Sequence, residues 1–190
     1  MKKLFSLCII FIVFFLPGCT TFLSLTTDEP IEQDAGTRSF GTYLNDENIE
    51  SIATVNIRKS DTQLADAHLN VESYNGMVLL TGQVNSNDLK SIAGAVADKV
   101  ANVRKVYNEL EVKDPSTTIA RFNDSWLTSK IKTKMMADST VQSGRIRVVT
   151  ENGVVFLMGL VSHAEGERAV NLVQESYGVQ RIIKVFEYID

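Results

Sequence analysis

Histidine and cysteine are the side chains that most readily transfer protons, attack carbonyls or hold metals near neutral pH, and this 190-residue chain has two of each. His68 and His163 have no cysteine or carboxylate cluster at ligand spacing around them. A nucleophile elbow of the Gly-x-Ser-x-Gly type, a glycine-rich phosphate loop and a zinc motif are all missing from the sequence. Both histidines are expected to face solvent, His68 beside Leu69 on a strand and His163 in a loop after Val161. The expectation is therefore no enzyme, no metal and no cofactor. What remains is surface chemistry. Between Arg121 and Arg147 stand six basic and two acidic residues, a local charge of +4 in a chain of formal charge −4. On a helix there, Trp126, Lys130 and Lys134 follow i, i+4, i+8 spacing and form one stripe, with Leu127, Ile131 and Met135 beside it. An indole on a cationic helix suits the headgroup layer of a membrane, where each nearby Lys gains about 1 kcal/mol from anionic lipid.

The elements that position this stripe begin with an export signal. Lys2 and Lys3 precede an apolar run from Leu4 to Leu16, too short to cross a bilayer permanently and followed at once by small residues. The tetrad Leu16-Pro17-Gly18-Cys19 resembles a bacterial lipobox, with Pro17 departing from the small or β-branched residue usual at its position. That resemblance implies cleavage after residue 18, acylation of Cys19 and, with Thr20 following, sorting to the outer membrane. The mature chain would have 172 residues, 17 basic against 23 acidic, so the +4 segment sits against −10 elsewhere. Cys8 leaves with the signal and Cys19 carries lipid, so stability must come without disulfides. Residues 19–44, rich in Thr, Ser, Gly, Pro and acidic side chains, read as a lipidated flexible tether.

The remainder repeats. A shift of 77 places superimposes Val71, Asn75, Gly76, Val78, Leu80, Gly82 and Val84 on Val148, Asn152, Gly153, Val155, Leu157, Gly159 and Val161, which marks a duplicated module. Each copy reads α-β-β-α-β. Asp46 and Asp124 are placed as N-caps of the first helices. Alternating strands flank Asn75-Gly76 and Asn152-Gly153, pairs suited to type I′ hairpin turns. Gly82 and Gly159 inside the return strands suggest a bulge or close packing. The last strand of each copy, about 106–112 and 182–189, is expected to pair parallel to a hairpin strand after a helical crossover, with both helices on one face. The class is α+β: two tandem domains, each with a three-stranded mixed sheet covered by two helices. The boundaries are 1–18 for the signal, 19–44 for the tether, 45–113 for the first domain, 114–120 for a linker and 121–190 for the second. Modules this small are expected to pack together.

The lipobox, then Arg38-Ser39-Phe40-Gly41-Thr42 leading to Asp46, then two copies of Asn-Gly-x-Val-x-Leu-x-Gly-x-Val resemble the dual BON-domain lipoproteins of the Gram-negative outer membrane. The most specific stretches are Asn123-Asp124-Ser125-Trp126-Leu127-Thr128-Ser129-Lys130 and the run from Glu151 to Val161. The resemblance implies non-enzymatic modules that bind phospholipid or associate with envelope partners. It points to Trp126, Leu127, Lys130, Lys132 and Lys134 as contacts to an anionic phospholipid membrane, with support of envelope integrity and of cell-wall remodelling at division. Nucleic acid is not expected as a partner. The rival expectation is a protein-interaction adaptor for envelope assembly or division factors, using the acidic first domain or exposed strand edges.

Overall fold

A computed structural model describes residues 34–190. The signal, Cys19 and all of the tether up to residue 33 lie outside the described residues. Helix α1 (Phe40–Ser60) is followed by a single turn, α2 (Thr62–Asp66), and by the hairpin β1 (Leu69–Tyr74) and β2 (Met77–Val84). Helix α3 (Asn87–Asp98) crosses over to β3 (Lys105–Asn108) and β4 (Glu111–Val112). The second copy runs α4 (Thr118–Ala137), a 3₁₀ turn at Ser143–Arg145, β5 (Ile146–Glu151), β6 (Val154–Val161), α5 (His163–Gln174) and β7 (Arg181–Tyr188). Both hairpins are antiparallel, and the third strands pair parallel to β2 and β6. The expected α+β class and the mixed sheets follow the order read from the sequence.

The turns show why the repeat carries Asn-Gly. Asn75 and Gly76 have φ of 53° and 74°, and Asn152 and Gly153 have 49° and 73°, the left-handed pair that a type I′ turn requires. Gly82, at φ 117°, is demanded by a close backbone approach, since a Cβ there would lie 2.0 Å from the His68 carbonyl oxygen. Strand β4 is separated from β3 because Asn108 turns its side chain into the backbone, donating to the Lys90 carbonyl at 2.7 Å and accepting from Leu110 N. The expected continuous strand is thereby broken, while its counterpart β7 runs unbroken for eight residues.

The helix starts differ from expectation. Ser39 caps α1 and Thr117 caps α4, each hydroxyl accepting a backbone N–H three residues on. Asp46 and Asp124 lie well inside their helices and are buried. The residues expected to form the end of the tether and of the linker, 40–44 and 118–120, are therefore helical. The displaced aspartates have another task. The Asp46 carboxylate accepts from Asn75 N at 2.8 Å, Gly76 N at 2.9 Å, Ser73 Oγ at 2.8 Å and Arg38 Nη1 at 2.7 Å. Asp124 accepts from Asn152 N and Gly153 N in the same way, at 2.8 and 2.9 Å. Each helix thus holds the hairpin turn of its own sheet.

Burial pushes the Asp46 carboxyl upward, but the Gly76 N–H, Ser73 hydroxyl, Asn75 N–H and Arg38 more than offset this and hold it below its ordinary value of 3.8. A depressed carboxyl contributes stability at neutral pH that is lost as pH falls through its folded value. The thermal midpoint is expected to drop as the pH is taken below 3.8, and Asp46→Asn should flatten that part of the profile. Identical acid profiles for the two proteins would remove Asp46 as the source.

Strands β2 and β6 are buried at every position, so the expected alternation of inward and outward residues fails there. One face of the first sheet packs on α1 and α3 through Val78, Leu80, Ile49, Ala53, Ile57 and Ala93. The second sheet packs likewise on α4 and α5 through Val155, Leu157, Leu127, Ile131 and Ala169. The opposite faces meet each other, with Tyr74 and Leu79 against Val154, Phe156, Met158 and Val185. The layers run helix, sheet, sheet, helix, and a central strand covered on both faces takes apolar residues throughout.

Polar contacts bracket this dry interface. Arg147 on β5 reaches across to the first copy, pairing with Glu72 at 2.6 Å and with Glu50. The interface is also reciprocal. Asn75 Nδ2 donates to Glu187 at 2.9 Å, and its counterpart Asn152 Nδ2 donates to Glu111 at 3.2 Å. His68 is not solvent-facing on a strand as expected. It lies just before β1, with Nε2 3.4 Å from the buried Glu151, which also accepts from Gln83 Nε2 at 2.8 Å. His163 opens α5 rather than lying in a loop, exposed and hydrogen-bonded to Asp190 at 2.6 Å.

Candidate functional site on the first helix of the second copy

Helix α4 presents four residues to the sheet, Asp124, Leu127, Ile131 and Met135, at the 3–4 spacing that buries one face. The opposite face is open and more apolar than expected. Ile119, Phe122 and Trp126 are 75%, 71% and 55% exposed and follow i, i+3, i+7 spacing, so they lie on one side of the helix. Lys130, one turn beyond, places its Nζ 5.0 Å from the centre of the Trp126 ring. The indole and this ammonium form a compact unit with an apolar face and a cationic rim.

The five residues expected to contact lipid are not all on that face. Trp126 and Lys130 come together. Leu127 is 4% exposed and packs in the core, so its side chain is turned away from any external surface. Lys134 folds against the other helix, donating to the Leu172 carbonyl at 2.9 Å and to Glu175 at 3.0 Å, where it satisfies the last turn of α5. Lys132 lies on a different flank and lines a polar groove with Arg121, Ser125, Ser129 and Arg147. Ile119 and Phe122 were missed because taking Asp124 as the cap left residues 118–123 outside the helix. Thr117 followed by a run with apolar residues at 119, 122 and 126 was the available signal.

The corresponding helix in the first copy differs. Asp46 matches Asp124, which puts Asn48 where the second copy has Trp126 and Ile52 where it has Lys130. Its outward residues include Phe40, Leu44 and Val55, 76%, 51% and 49% exposed. The two copies therefore share a scaffold and differ on their outer surfaces.

Two turn-clamping aspartates on capped helices, each holding the Asn-Gly turn of a β-β-α-β unit, are what the duplicated pattern encodes. The BON domain pattern matches twice, over residues 45–114 and 123–190. The chain belongs to the BON domain family. It is 38% identical over 178 residues to the outer membrane lipoprotein DolP of Haemophilus influenzae, covering 93% of this chain and 91% of that one. It is 36% identical over 152 residues to the 21 kDa hemolysin of Actinobacillus pleuropneumoniae, covering 80% of this chain and 78% of that one. The osmotically-inducible protein Y of Escherichia coli is 30% identical over 162 residues, covering 83% and 80% of the respective chains. Both BON domains of this chain lie in one compact unit from Ala35 to Asp190.

Proposed function

We propose that this chain is an outer-membrane lipoprotein, anchored through acylated Cys19 on the periplasmic face, whose second BON domain docks on anionic phospholipid. The observation that carries this is the exposed stripe of Ile119, Phe122 and Trp126 with Lys130 against the indole. Exposed apolar side chains lose unfavourable contact with water on entering the interface, and the ammonium favours a negative surface. The similarity to a protein named outer membrane lipoprotein supports the anchor. The acyl chains on Cys19 provide membrane residence, and a second weak contact orients the protein and concentrates it where anionic lipid is dense. The work of such a protein is support of outer-membrane integrity and of cell-wall remodelling at division, without catalysis.

Flotation of the non-lipidated chain with vesicles tests this. Binding to vesicles containing phosphatidylglycerol is expected, with loss in high salt and little binding to phosphatidylcholine alone. Trp126→Ala with Lys130→Glu should weaken binding about thirtyfold, since a lost aromatic anchor and a lost cation each cost about 1 kcal/mol. Lys134→Glu should do less, because that ammonium is already held by Glu175. Binding that ignores headgroup charge and survives the double substitution would remove the lipid reading.

A second reading is favoured by the outward face of α1. Phe40, Leu44 and Val55 are exposed there, and the acidic Glu47 rather than a lysine lies alongside. Such a face suits a protein partner better than an anionic surface. Vesicle binding that fails while envelope integrity still depends on Leu44 and Val55 would favour the adaptor.

A further inference from the structure

The internal repeat supplies its own control for finding a site. At the turn end of the first domain the space beside the hairpin is narrower, about 500 Å³ between Asn45, Gly76, Asn102 and Arg104. Asn102, with φ of 68°, donates from Nδ2 to Asn45 Oδ1 at 2.8 Å, and Arg104 forms a two-pronged pair with Glu187 at 2.7 Å. At the same place in the second domain Asn102 and Arg104 have been replaced, while Asn45 is kept as Asn123. Gly178 stands in the position of Asn102, and Gln180 in that of Arg104, as the matching hydrogen bonds from Arg104 N to Gly76 O and from Gln180 N to Gly153 O show. Two aromatic residues are added, Trp126 for Asn48 and Tyr177 for Ala101. The result is an open cleft of about 950 Å³ that both aromatics line.

The chemistry of the cleft narrows its ligand. Tyr177 is 87% exposed and Trp126 55%, a large aromatic area to leave in water. Asn123 and Gln180 also line the cleft, and their side-chain amides have no hydrogen-bond partner among the described residues. Buried Leu127 and Val154 provide a small apolar patch. Glu111 is paired to Lys113 and Asp124 is occupied by the turn, which leaves the Arg181 guanidinium as the charged group able to donate to a ligand oxygen. Aromatic faces pack on the C–H faces of a pyranose, amides bond its hydroxyls, and an acetamido group pairs with a carboxamide while its methyl enters an apolar patch. We propose that this cleft binds a glycan of N-acetylated hexosamines, with Trp126 shared between the cleft and the lipid-docking face of α4.

Trp126 is the sole tryptophan, so its fluorescence reports on this cleft directly. The full lipidated protein in phosphatidylcholine nanodiscs would be titrated with chitotriose, and with maltotriose as the sugar lacking acetamido groups. A saturable spectral change with chitotriose and none with maltotriose is expected. Tyr177→Ala should weaken chitotriose binding about tenfold and Asn123→Ala about fivefold, for loss of a stacking face and of a hydrogen-bonding amide. Both residues are exposed, so the variants should keep the wild-type melting temperature, and both should still float with phosphatidylglycerol vesicles. No saturable change with chitotriose, equal binding of maltotriose, or unaltered affinity in both variants would overturn the proposal. Lys130→Glu alone keeps the indole, and its loss of vesicle binding with an unchanged chitotriose titration is the result expected if the two bindings are separate.

Discussion

Replacing Asp46 by alanine is expected to destabilise the protein by about 3–4 kcal/mol and to lower its melting temperature by about 10 °C. The substitution removes the acceptor for two backbone N–H groups held in a left-handed turn, for the Ser73 hydroxyl and for Arg38. None of these donors has an easy substitute. The Asn75 and Gly76 amides face the helix, and the Arg38 guanidinium lies 3.7 Å from the centre of the Tyr74 ring with its carboxylate gone. Orphaned buried donors cost more than the hydrogen bonds were worth, because they keep the full loss of hydration. Asp124→Ala should cost less, about 2 kcal/mol, since Asp124 holds the two turn amides at 2.8 and 2.9 Å without a charged partner of the Arg38 kind. Urea titrations of the two variants would check this order. Equal losses, or a loss below about 1 kcal/mol for Asp46→Ala, would mean that water reaches the turn and replaces the carboxylate.

The second large effect is expected at the interface between the domains. Arg147 comes from β5 and is enclosed by carboxylates of the other domain, Glu50, Glu72 at 2.6 Å and Glu47 at 3.8 Å. Burial pushes the Glu50 carboxyl upward, the Ser73 N–H and Arg147 only partly counter this, and the neighbouring Glu72 adds to it, so Glu50 is held above its ordinary value. Arg147→Met keeps much of the volume and leaves the acidic groups facing one another. A loss of about 3 kcal/mol at neutral pH is expected, the usual result of removing one member of a buried ion pair. The sign with pH follows from linkage. A carboxyl whose folded pKa is raised favours the folded state in its protonated form, and removing Arg147 raises it further, so the variant regains stability as pH falls through that value. The stability gap between wild type and Arg147→Met should therefore narrow from pH 7.5 toward pH 5. A gap that stays constant would show that Arg147 acts through packing of its stem rather than through charge.

These effects concern groups whose importance the sequence displays only in part. Asp46 and Asp124 stand out as a matched pair in the repeat, and the natural local interpretation of an aspartate before a helical pattern is an N-cap. The structure gives that task to Ser39 and Thr117 and uses the aspartates across a gap of almost thirty residues. Placing the helix start too late had a second consequence, since it hid Ile119 and Phe122 from the surface stripe. Lys134 shows the converse. Its spacing from Trp126 and Lys130 is that of a single stripe, yet its four-carbon stem carries the ammonium to the Leu172 carbonyl on another helix. Local spacing says where a side chain leaves the backbone and not what lies within its reach.

Several features depend on local physics and are therefore legible from the chain alone. Asn-Gly reports a type I′ turn because few other pairs tolerate two positive φ angles, and both hairpins form around it. A hairpin followed by an amphipathic helix and another strand leaves little freedom in topology, so the parallel pairing of β2 with β3 and of β6 with β7 also follows. The repeat at a spacing of 77 establishes that this unit occurs twice. Face-to-face packing of the sheets, the enclosure of Arg147 and the widening of one turn end at Gly178 and Tyr177 were decided by tertiary structure. Their partners are separated by dozens of residues, and burial of one face of a strand leaves no sequence mark of what covers the other. A duplicated sequence determines two like folds, while the differences between their surfaces acquire meaning only when the fold brings them to the same place.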